Sequence, residues 1–100
     1  MRDDSVRFDW DCKKASSNLR KHKVSFEEAS TVFRDDFAQQ FEDPDHSEEE
    51  CRFIMLGLSS KLRTVVVCFC YRTDEDVIRL FSARKADKDE ATEYFKGRSK

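Results

Sequence analysis

The segment that decides the fold is TVVVCFCY, residues 64–71. Valine and aromatic residues dominate it, which favours a β-strand, and residues 65–69 are apolar at consecutive rather than alternate positions. A strand that exposes one face to water alternates apolar and polar residues. This segment therefore predicts a central strand that is covered on both sides.

Four other segments have the length and composition of strands. VRFDW, residues 6–10, alternates apolar and polar residues, and FAQQFE, residues 37–42, places two phenylalanines on one face. CRFIMLGL, residues 51–58, and DVIRLFSA, residues 76–83, flank the central segment, with polar residues on either side. The sequence therefore predicts five strands.

Two capping signals predict a pair of helices after the first strand. Asp11 can cap a helix over residues 12–22, and Ser25 and Glu28 form a capping box for a second helix. The apolar face of the first helix is expected to consist of Cys12, Ala15, Leu19 and His22. Because only about three residues join the helices, an antiparallel helical hairpin is expected.

A last helix follows the last strand. Asp87 and Glu90 have the spacing of another capping box. The buried side of this helix is expected to consist of Ala91, Tyr94 and Phe95. Residues 97–100 are expected to form a frayed tail.

The order of these elements is β-α-α-β-β-β-β-α. It predicts an α+β fold, in which an antiparallel sheet carries an N-terminal helical hairpin and a C-terminal helix. A chain of 100 residues has room for a single domain, spanning residues 1–100. No segment has the composition of a membrane span or a signal peptide, so a soluble, cytoplasmic protein without a membrane partner is expected.

The cysteines do not have the spacing of a metal site. Cys68 and Cys70 lie two apart in the central strand and should project from the same face, and the chain has no Cys-x-x-Cys motif. In a cytoplasmic protein the four cysteines are expected to be reduced thiols. Neither a structural metal nor a cofactor is therefore predicted.

The charges are segregated along the chain, although the net charge is only −2. Residues 35–50 carry eight acidic and no basic side chains, whereas residues 51–100 carry eleven basic and seven acidic ones. A chain of this kind can present a cationic surface despite its net charge, so an anionic partner is permitted but not demonstrated.

Three arginines lie in or next to the predicted strands, where a charged side chain needs an explanation. Arg52 begins one strand, Arg79 interrupts DVIRLF, and Arg84 follows that strand together with Lys85. Salt bridges or side chains that extend to solvent would explain them structurally. A guanidinium group also matches phosphate oxygens in a bidentate manner, so an anion site is the functional interpretation.

The two histidines lie in different settings. His22 is on the predicted apolar face of the first helix, where a role in packing or at the helix end is expected. His46 lies in the acidic loop DPDHSEEE, where nearby carboxylates favour the protonated imidazole, which suits a general acid. The carboxylates of residues 48–50 could hold Mg²⁺, but an acidic run is more often simply solvated.

Three blocks of the sequence resemble the BrnT family of bacterial toxins. They are FDWDCKKASSNLRKHKVSFEEASTVF, DPDHSEEECRF and VIRLFSARKA followed by Tyr94, and together they extend over about residues 7–95. The resemblance implies a RelE-like fold and metal-independent RNA cleavage that inhibits translation and growth. It also implies neutralisation by a BrnA-like antitoxin, through which alone the protein would contact DNA.

The resemblance, together with the chemistry of RNA cleavage, suggests roles for individual residues. Cleavage without metal requires an acid, a base and cations on the phosphate. We assign the acid to His46, the base or the orientation of Arg52 to Glu50, and the phosphate clamps to Arg52, Arg79 and Arg84. The residues expected to contact RNA are Lys21, His22, Lys85 and Tyr94, of which Tyr94 could equally be a core residue.

The chain also departs from the family pattern at three positions. Lys23 and Leu62 stand where the family usually has glycine, and Phe37 stands where proline often follows the aspartate. These changes concern loop geometry and remove no candidate catalytic side chain. A non-catalytic module that keeps the fold only to bind a partner is the alternative function.

Overall fold

The computed structural model describes residues 6–43, 52–72 and 76–98. The strands are β1 (Arg7–Asp9), β2 (Gln39–Glu42), β3 (Arg52–Leu58), β4 (Thr64–Tyr71) and β5 (Val77–Lys85). The helices are α1 (Cys12–His22), α2 (Phe26–Thr31), which continues into a 3₁₀ turn (Val32–Arg34), and α3 (Lys88–Arg98). Within these ranges, no helix combines the length and the apolar character needed to cross a membrane.

The predicted α+β architecture is confirmed, with one correction to the sheet. The strand order is β1-β5-β4-β3-β2, and β4 lies at the centre as its sequence predicts. The pairs β2–β3, β3–β4 and β4–β5 are antiparallel, but β1 runs parallel to β5. Between β1 and β2 the chain crosses from one edge of the sheet to the other through α1 and α2. That path sets the direction of β1, and no local pattern reports it.

Both faces of β4 are buried, each against a different layer. Val65, Val67 and Phe69 pack on one face in a cluster that includes Phe26 and Val32 from the α2 segment. We call this the hairpin face of the sheet. On the other face, which we call the α3 face, Val66 packs with Leu56 of β3 and Tyr94 of α3. The apolar residues of β4 therefore hold three layers together.

The helix α1 forms where Asp11 predicts it, but it does not bury the predicted face. The Asp11 carboxylate accepts from the backbone N–H of Lys13 at 2.8 Å, which confirms the cap. Leu19 is 48% exposed, and the buried residue is Asn18. The Asn18 side chain donates to the carbonyl of Ala83 at 2.8 Å and accepts from the N–H of Ala83 at 3.0 Å.

Those two hydrogen bonds explain why a polar residue faces the sheet. The strand β1 ends at Asp9, opposite Arg79, so among the described residues no strand pairs with the rest of β5 on that side. The amide of Asn18 takes the place of a strand there, because one side-chain amide supplies both the donor and the acceptor of a peptide group. Of the predicted apolar face, Cys12, Leu19 and His22 remain exposed.

The helix α3 begins with the predicted capping box but differs from the prediction at Phe95 and at its C-terminal end. The backbone N–H of Glu90 donates to Asp87 at 2.8 Å, and that of Asp87 donates to the Glu90 carboxylate at 2.9 Å. Tyr94 is fully buried, whereas Phe95 is 46% exposed, since it is rotated by about 100° from Tyr94 around the helix. The helix continues through Arg98, which donates to the Tyr94 hydroxyl, so residues 97 and 98 are not frayed.

A buried polar cluster joins α2 to the connection between β3 and β4. The Glu28 carboxylate accepts from the hydroxyl of Ser59 at 2.7 Å and from the guanidinium of Arg63, whose Nε lies at 3.0 Å. Another nitrogen of Arg63 donates to the carbonyl of Lys23 at 2.9 Å. The hydrogen bond from Arg63 is the main cause that lowers the pKa of Glu28, against the opposing effect of burial.

Backbone strain is concentrated at two positions where the resemblance described above leads us to expect glycine. Lys23, directly after α1, has φ = 61°, and Leu62, in the connection between β3 and β4, has φ = 63°. Within the described ranges these are the non-glycine residues with positive φ. Side chains with a Cβ atom are disfavoured in this conformation and glycine is not.

Replacing the exposed Leu62 by glycine should therefore stabilise the protein. Relief of the left-handed strain outweighs the greater flexibility of glycine in the unfolded chain, so Leu62→Gly should raise the free energy of unfolding by about 0.5–1 kcal/mol. Chemical denaturation measures this change. The matched control is Lys61→Gly, which relieves no such strain and should lower stability, and equal effects of the two substitutions would contradict the argument.

Candidate functional site

Two of the predicted phosphate ligands lie in one row across the sheet. Asp9, Arg79, Cys70 and Arg52 are successive partners on β1, β5, β4 and β3. Directly opposed residues project from the same face, here the α3 face. Arg52 and Arg79 are two strands apart, which corresponds to about 10 Å between their backbones. This separation allows two long side chains to reach one phosphate group between them.

The row lies beyond α3 rather than beneath it. The helix packs on Leu56 and Val66, and Val66 is four residues from Cys70 along β4. Four residues of a strand span about 13 Å, so α3 does not cover the end of the face where Arg52 and Arg79 lie. The segment 44–51, which leads into Arg52, lies outside the described residues. The predicted roles of His46 and Glu50 fall in that segment, as do the carboxylates of residues 48–50.

Asp9 orients Arg79 but does not occupy all the N–H donors of the Arg79 guanidinium. Its carboxylate lies 2.6 Å from one terminal nitrogen of Arg79 and 3.6 Å from a terminal nitrogen of Arg72. The side chains of Asp9 and Arg79 are partly exposed. A guanidinium has several N–H groups in a rigid fork, so this contact leaves donors of Arg79 available for an anion.

A phenylalanine that was not predicted as a site residue lies beside Arg52. The guanidinium carbon of Arg52 is 3.9 Å from the ring centre of Phe81, and the ammonium of Lys14 in α1 is 5.5 Å from it. Phe69 pairs with Leu80 and Cys68 with Ser82, so Phe81 is the extra residue of a β-bulge. The sequence shows an aromatic residue two positions after Arg79, but it does not show the bulge or the approach of Lys14.

Arg84, the third predicted clamp, is held by a carboxylate instead. Its two terminal nitrogens lie 2.8 and 2.9 Å from the two oxygens of Glu90, a bidentate pair between β5 and α3. The hydrogen bond from Arg84 lowers the pKa of Glu90, and that of Arg84 is raised in turn. Arg84 is opposite Val66, about 13 Å along the sheet from Cys70. Of the two interpretations that the sequence left open for Arg84, a salt bridge or an anion site, this geometry agrees with the salt bridge.

The predicted RNA contacts in α1 and at the end of β5 lie at the opposite end of the sheet. Lys21 and His22 are exposed in the last turn of α1, and Lys85 is paired with Val65 near the start of β4. The carbonyl of the next residue, Lys23, accepts from Arg63, which directly precedes β4. The structure therefore does not bring these three residues to Arg52. The positive charges of Lys21 and Lys85 suit the C-terminal end of a helix and an exposed strand end.

The prediction that Tyr94 stacks on a base is not supported. Its side chain is fully buried, and its hydroxyl donates to the carboxylate of Asp35. Burial is the main cause that raises the pKa of Tyr94, followed by the hydrogen bond to Asp35. A ring with no exposed face cannot receive a base, so Tyr94 takes the role of a core residue, the alternative that the sequence left open.

The thiol of Cys68, two residues from the row, is not activated as a nucleophile. Cys12, Cys68 and Cys70 are free cysteines. Burial and the neighbouring carboxylate of Asp43 raise the pKa of Cys68 to about 11, which keeps the thiol protonated. Within residues 6–43, 52–72 and 76–98, no three His, Cys, Asp or Glu side chains come together in the manner of metal ligands.

Comparisons with known proteins agree on one family. The family model described as "Ribonuclease toxin, BrnT, of type II toxin-antitoxin system" matches residues 10–90. Among solved structures, the ribonuclease toxin BrnT of Brucella abortus is similar with a TM-score of 0.65 and 21% sequence identity, covering 83% of this chain and 99% of that one. At this identity the likeness shows the fold alone. No match is found among curated proteins.

The salt bridge between Arg84 and Glu90 should be measurable in a double-mutant cycle. Because both side chains are partly exposed, Arg84→Ala and Glu90→Gln should each destabilise the protein, with a coupling of about 0.5 kcal/mol between them. Glutamine retains an oxygen for the capping box, so the cycle isolates the ion pair. Strictly additive losses in chemical denaturation would show that Glu90 does not hold Arg84 in solution.

Proposed function

Because this chain belongs to the BrnT family of ribonuclease toxins of type II toxin-antitoxin systems, we propose that it is a metal-independent endoribonuclease with a RelE-like fold. Acting in the cytoplasm, it cleaves RNA and thereby inhibits translation and growth. The observation that carries the proposal is the row with Arg52 and Arg79 on one face, beyond the cover of α3.

The proposed reaction is an internal transesterification. The 2′-hydroxyl of the substrate attacks the adjacent phosphorus, the bond to the 5′-oxygen of the next nucleotide breaks, and a 2′,3′-cyclic phosphate remains. Negative charge accumulates on the phosphate oxygens during this step. Guanidinium groups on either side stabilise that charge most strongly when they are already oriented, which is the role of Arg52 and Arg79.

The proton transfers are assigned to the loop before β3. His46 donates a proton to the leaving 5′-oxygen, and Glu50 removes the proton of the 2′-hydroxyl or orients Arg52. Both residues are within six positions of Arg52 in the sequence. The support for their roles is this proximity to Arg52, their chemistry and the family resemblance.

The other cations have secondary roles in this proposal. Both terminal nitrogens of Arg84 bind the Glu90 carboxylate, which offsets its charge, so Arg84 serves catalysis chiefly through the position of α3. Lys21, His22 and Lys85 are exposed at the far end of the sheet, where they could contact RNA only outside the scissile phosphate. Their contribution is to affinity rather than to the chemical step.

A ribonuclease of this kind must be neutralised in its own cell. We propose a BrnA-like antitoxin as the partner, in agreement with the toxin-antitoxin family of the chain. The acidic segment 35–50 has a charge opposite to that of the basic, DNA-binding part of such a partner, which favours their association. The protein would then contact DNA only through the antitoxin.

Purified protein should cleave RNA in the presence of EDTA. The products should end in a 2′,3′-cyclic phosphate or a 3′-phosphate, because the nucleophile belongs to the substrate and needs no bound metal. Mass spectrometry of the cleaved ends provides the measurement. Cleavage that stops with EDTA and leaves 3′-hydroxyl ends would contradict the mechanism, and no cleavage at all would favour the non-catalytic module.

Arg79→Ala should abolish most activity while the protein stays folded. Loss of one oriented, charged donor to the transition state commonly lowers kcat by about a hundredfold. The partly exposed pair with Asp9 should cost no more than about 1 kcal/mol of stability. The matched control is Arg20→Ala, which removes an exposed arginine of α1 and should leave kcat unchanged. A folded Arg79→Ala variant with wild-type kcat would refute the assignment.

A further inference from the structure

The aromatic ring at the β-bulge has no evident role in the core. Phe81 belongs to neither apolar cluster of the described residues, although its neighbour Leu80 and also Ala83 are almost completely buried. Its recorded ring contacts are with two cations, Arg52 and Lys14. A large apolar side chain that packs on charges rather than on the core requires another explanation.

The bulge explains how the ring reaches this position. Leu80 and Ala83 are three residues apart and both face the hairpin side, which a regular strand cannot achieve because its side chains alternate. The extra residue of the bulge lies between them and allows both side chains to face the same side of the sheet. It leaves Phe81, next to Leu80, on the α3 face with Arg52. Bulges often redirect a side chain next to a functional site.

We propose that Phe81 positions the guanidinium of Arg52 and that Lys14 is an additional phosphate-binding cation of the same site. The proposal rests on the ribonuclease function proposed above and extends its set of residues. At 3.9 Å the guanidinium carbon is in van der Waals contact with the ring, so the aromatic face restricts the long side chain of Arg52. Neither Phe81 nor Lys14 is among the residues that the sequence indicated.

Two cations that share one ring indicate the kind of ligand. Arg52 and Lys14 carry the same positive charge, so both attract an anion that approaches the ring. They come from different elements, β3 and α1, and the ring is what they have in common. A polyanion such as the RNA backbone, with one phosphate on Arg52 and a neighbouring phosphate near Lys14, suits this arrangement.

The two residues should affect different kinetic parameters. An arginine that loses its supporting ring still attracts RNA but orients the transition state poorly, so Phe81→Leu should lower kcat about tenfold with little change in KM. Phe81→Tyr retains the aromatic face and should restore activity. Lys14→Gln removes a point charge, so it should raise KM and reduce the salt dependence of RNA binding by about 0.7 of a unit slope.

The experiment uses the full chain with a short single-stranded RNA, measuring kcat, KM and binding at several salt concentrations. The chain offers matched controls. Phe37→Leu removes a ring beneath another arginine, Arg98, at 5.1 Å, and Lys13→Gln removes the exposed neighbour of Lys14. Both controls should behave as wild type. Thermal unfolding of every variant separates positioning from loss of fold.

The outcomes decide the proposal independently of the function on which it rests. Wild-type kcat in a folded Phe81→Leu variant, or equal losses in Phe81→Leu and Phe81→Tyr, would overturn the role of Phe81. Equal RNA affinities of Lys14→Gln and Lys13→Gln would overturn that of Lys14. If Phe81→Leu does not fold, the role of Phe81 is tested by comparing the kcat of Phe81→Tyr, which keeps the ring, with that of Arg52→Lys, which lacks the guanidinium. Equal kcat values would overturn the role of Phe81. If the wild type does not cleave RNA, the proposed function fails, while RNA binding by these variants still tests the site.

Discussion

The whole architecture depends on covering the two apolar faces of β4. Val65 and Val67 point to one layer and Val66 to the other, so each face of β4 needs its own apolar layer packed against it. The α1–α2 segment covers the hairpin face. On the other face α3 has eleven residues, a length of about 16 Å, whereas β5 has nine residues and spans about 30 Å. One short helix therefore leaves the Arg52 end of that face beyond its cover, which is where the candidate site lies.

Three arginines, Arg63, Arg84 and Arg79, differ in how buried their carboxylate partner is and in how many contacts they make with it. Arg63 pairs with Glu28, which is almost completely buried, and the pair anchors the connection between β3 and β4. Arg84 meets Glu90 with both terminal nitrogens, which ties β5 to α3. Arg79 has one close oxygen of the partly exposed Asp9 and keeps further donors. The same side chain thus serves as an anchor, as a tie between elements and as a proposed phosphate ligand, according to burial and the number of contacts.

The strained positions belong to the same anchored region. Lys23 provides the carbonyl that Arg63 binds, and Leu62 directly precedes Arg63. Both have positive φ, a conformation that glycine adopts without strain. The surrounding hydrogen bonds from Arg63 to Glu28 and Lys23 hold these backbone conformations in spite of their cost. This part of the molecule lies at the opposite end of the sheet from Arg52, so the strain does not disturb the proposed site.

The elements of the fold, the central position of β4 and the family could all be predicted from the amino-acid sequence. These depend on local signals: alternation within a strand, and caps such as Asp11 and the Asp87–Glu90 box, whose partners lie two or three residues away. The parallel pairing of β1, the polar contact of Asn18 with β5 and the position of Phe81 follow from the tertiary structure alone. Asn18 and Ala83 are 65 residues apart, and Asp9 and Arg79 are 70 apart. Contacts at such separations depend on the path of the whole chain, because a side chain pairs with whichever group the fold brings to it.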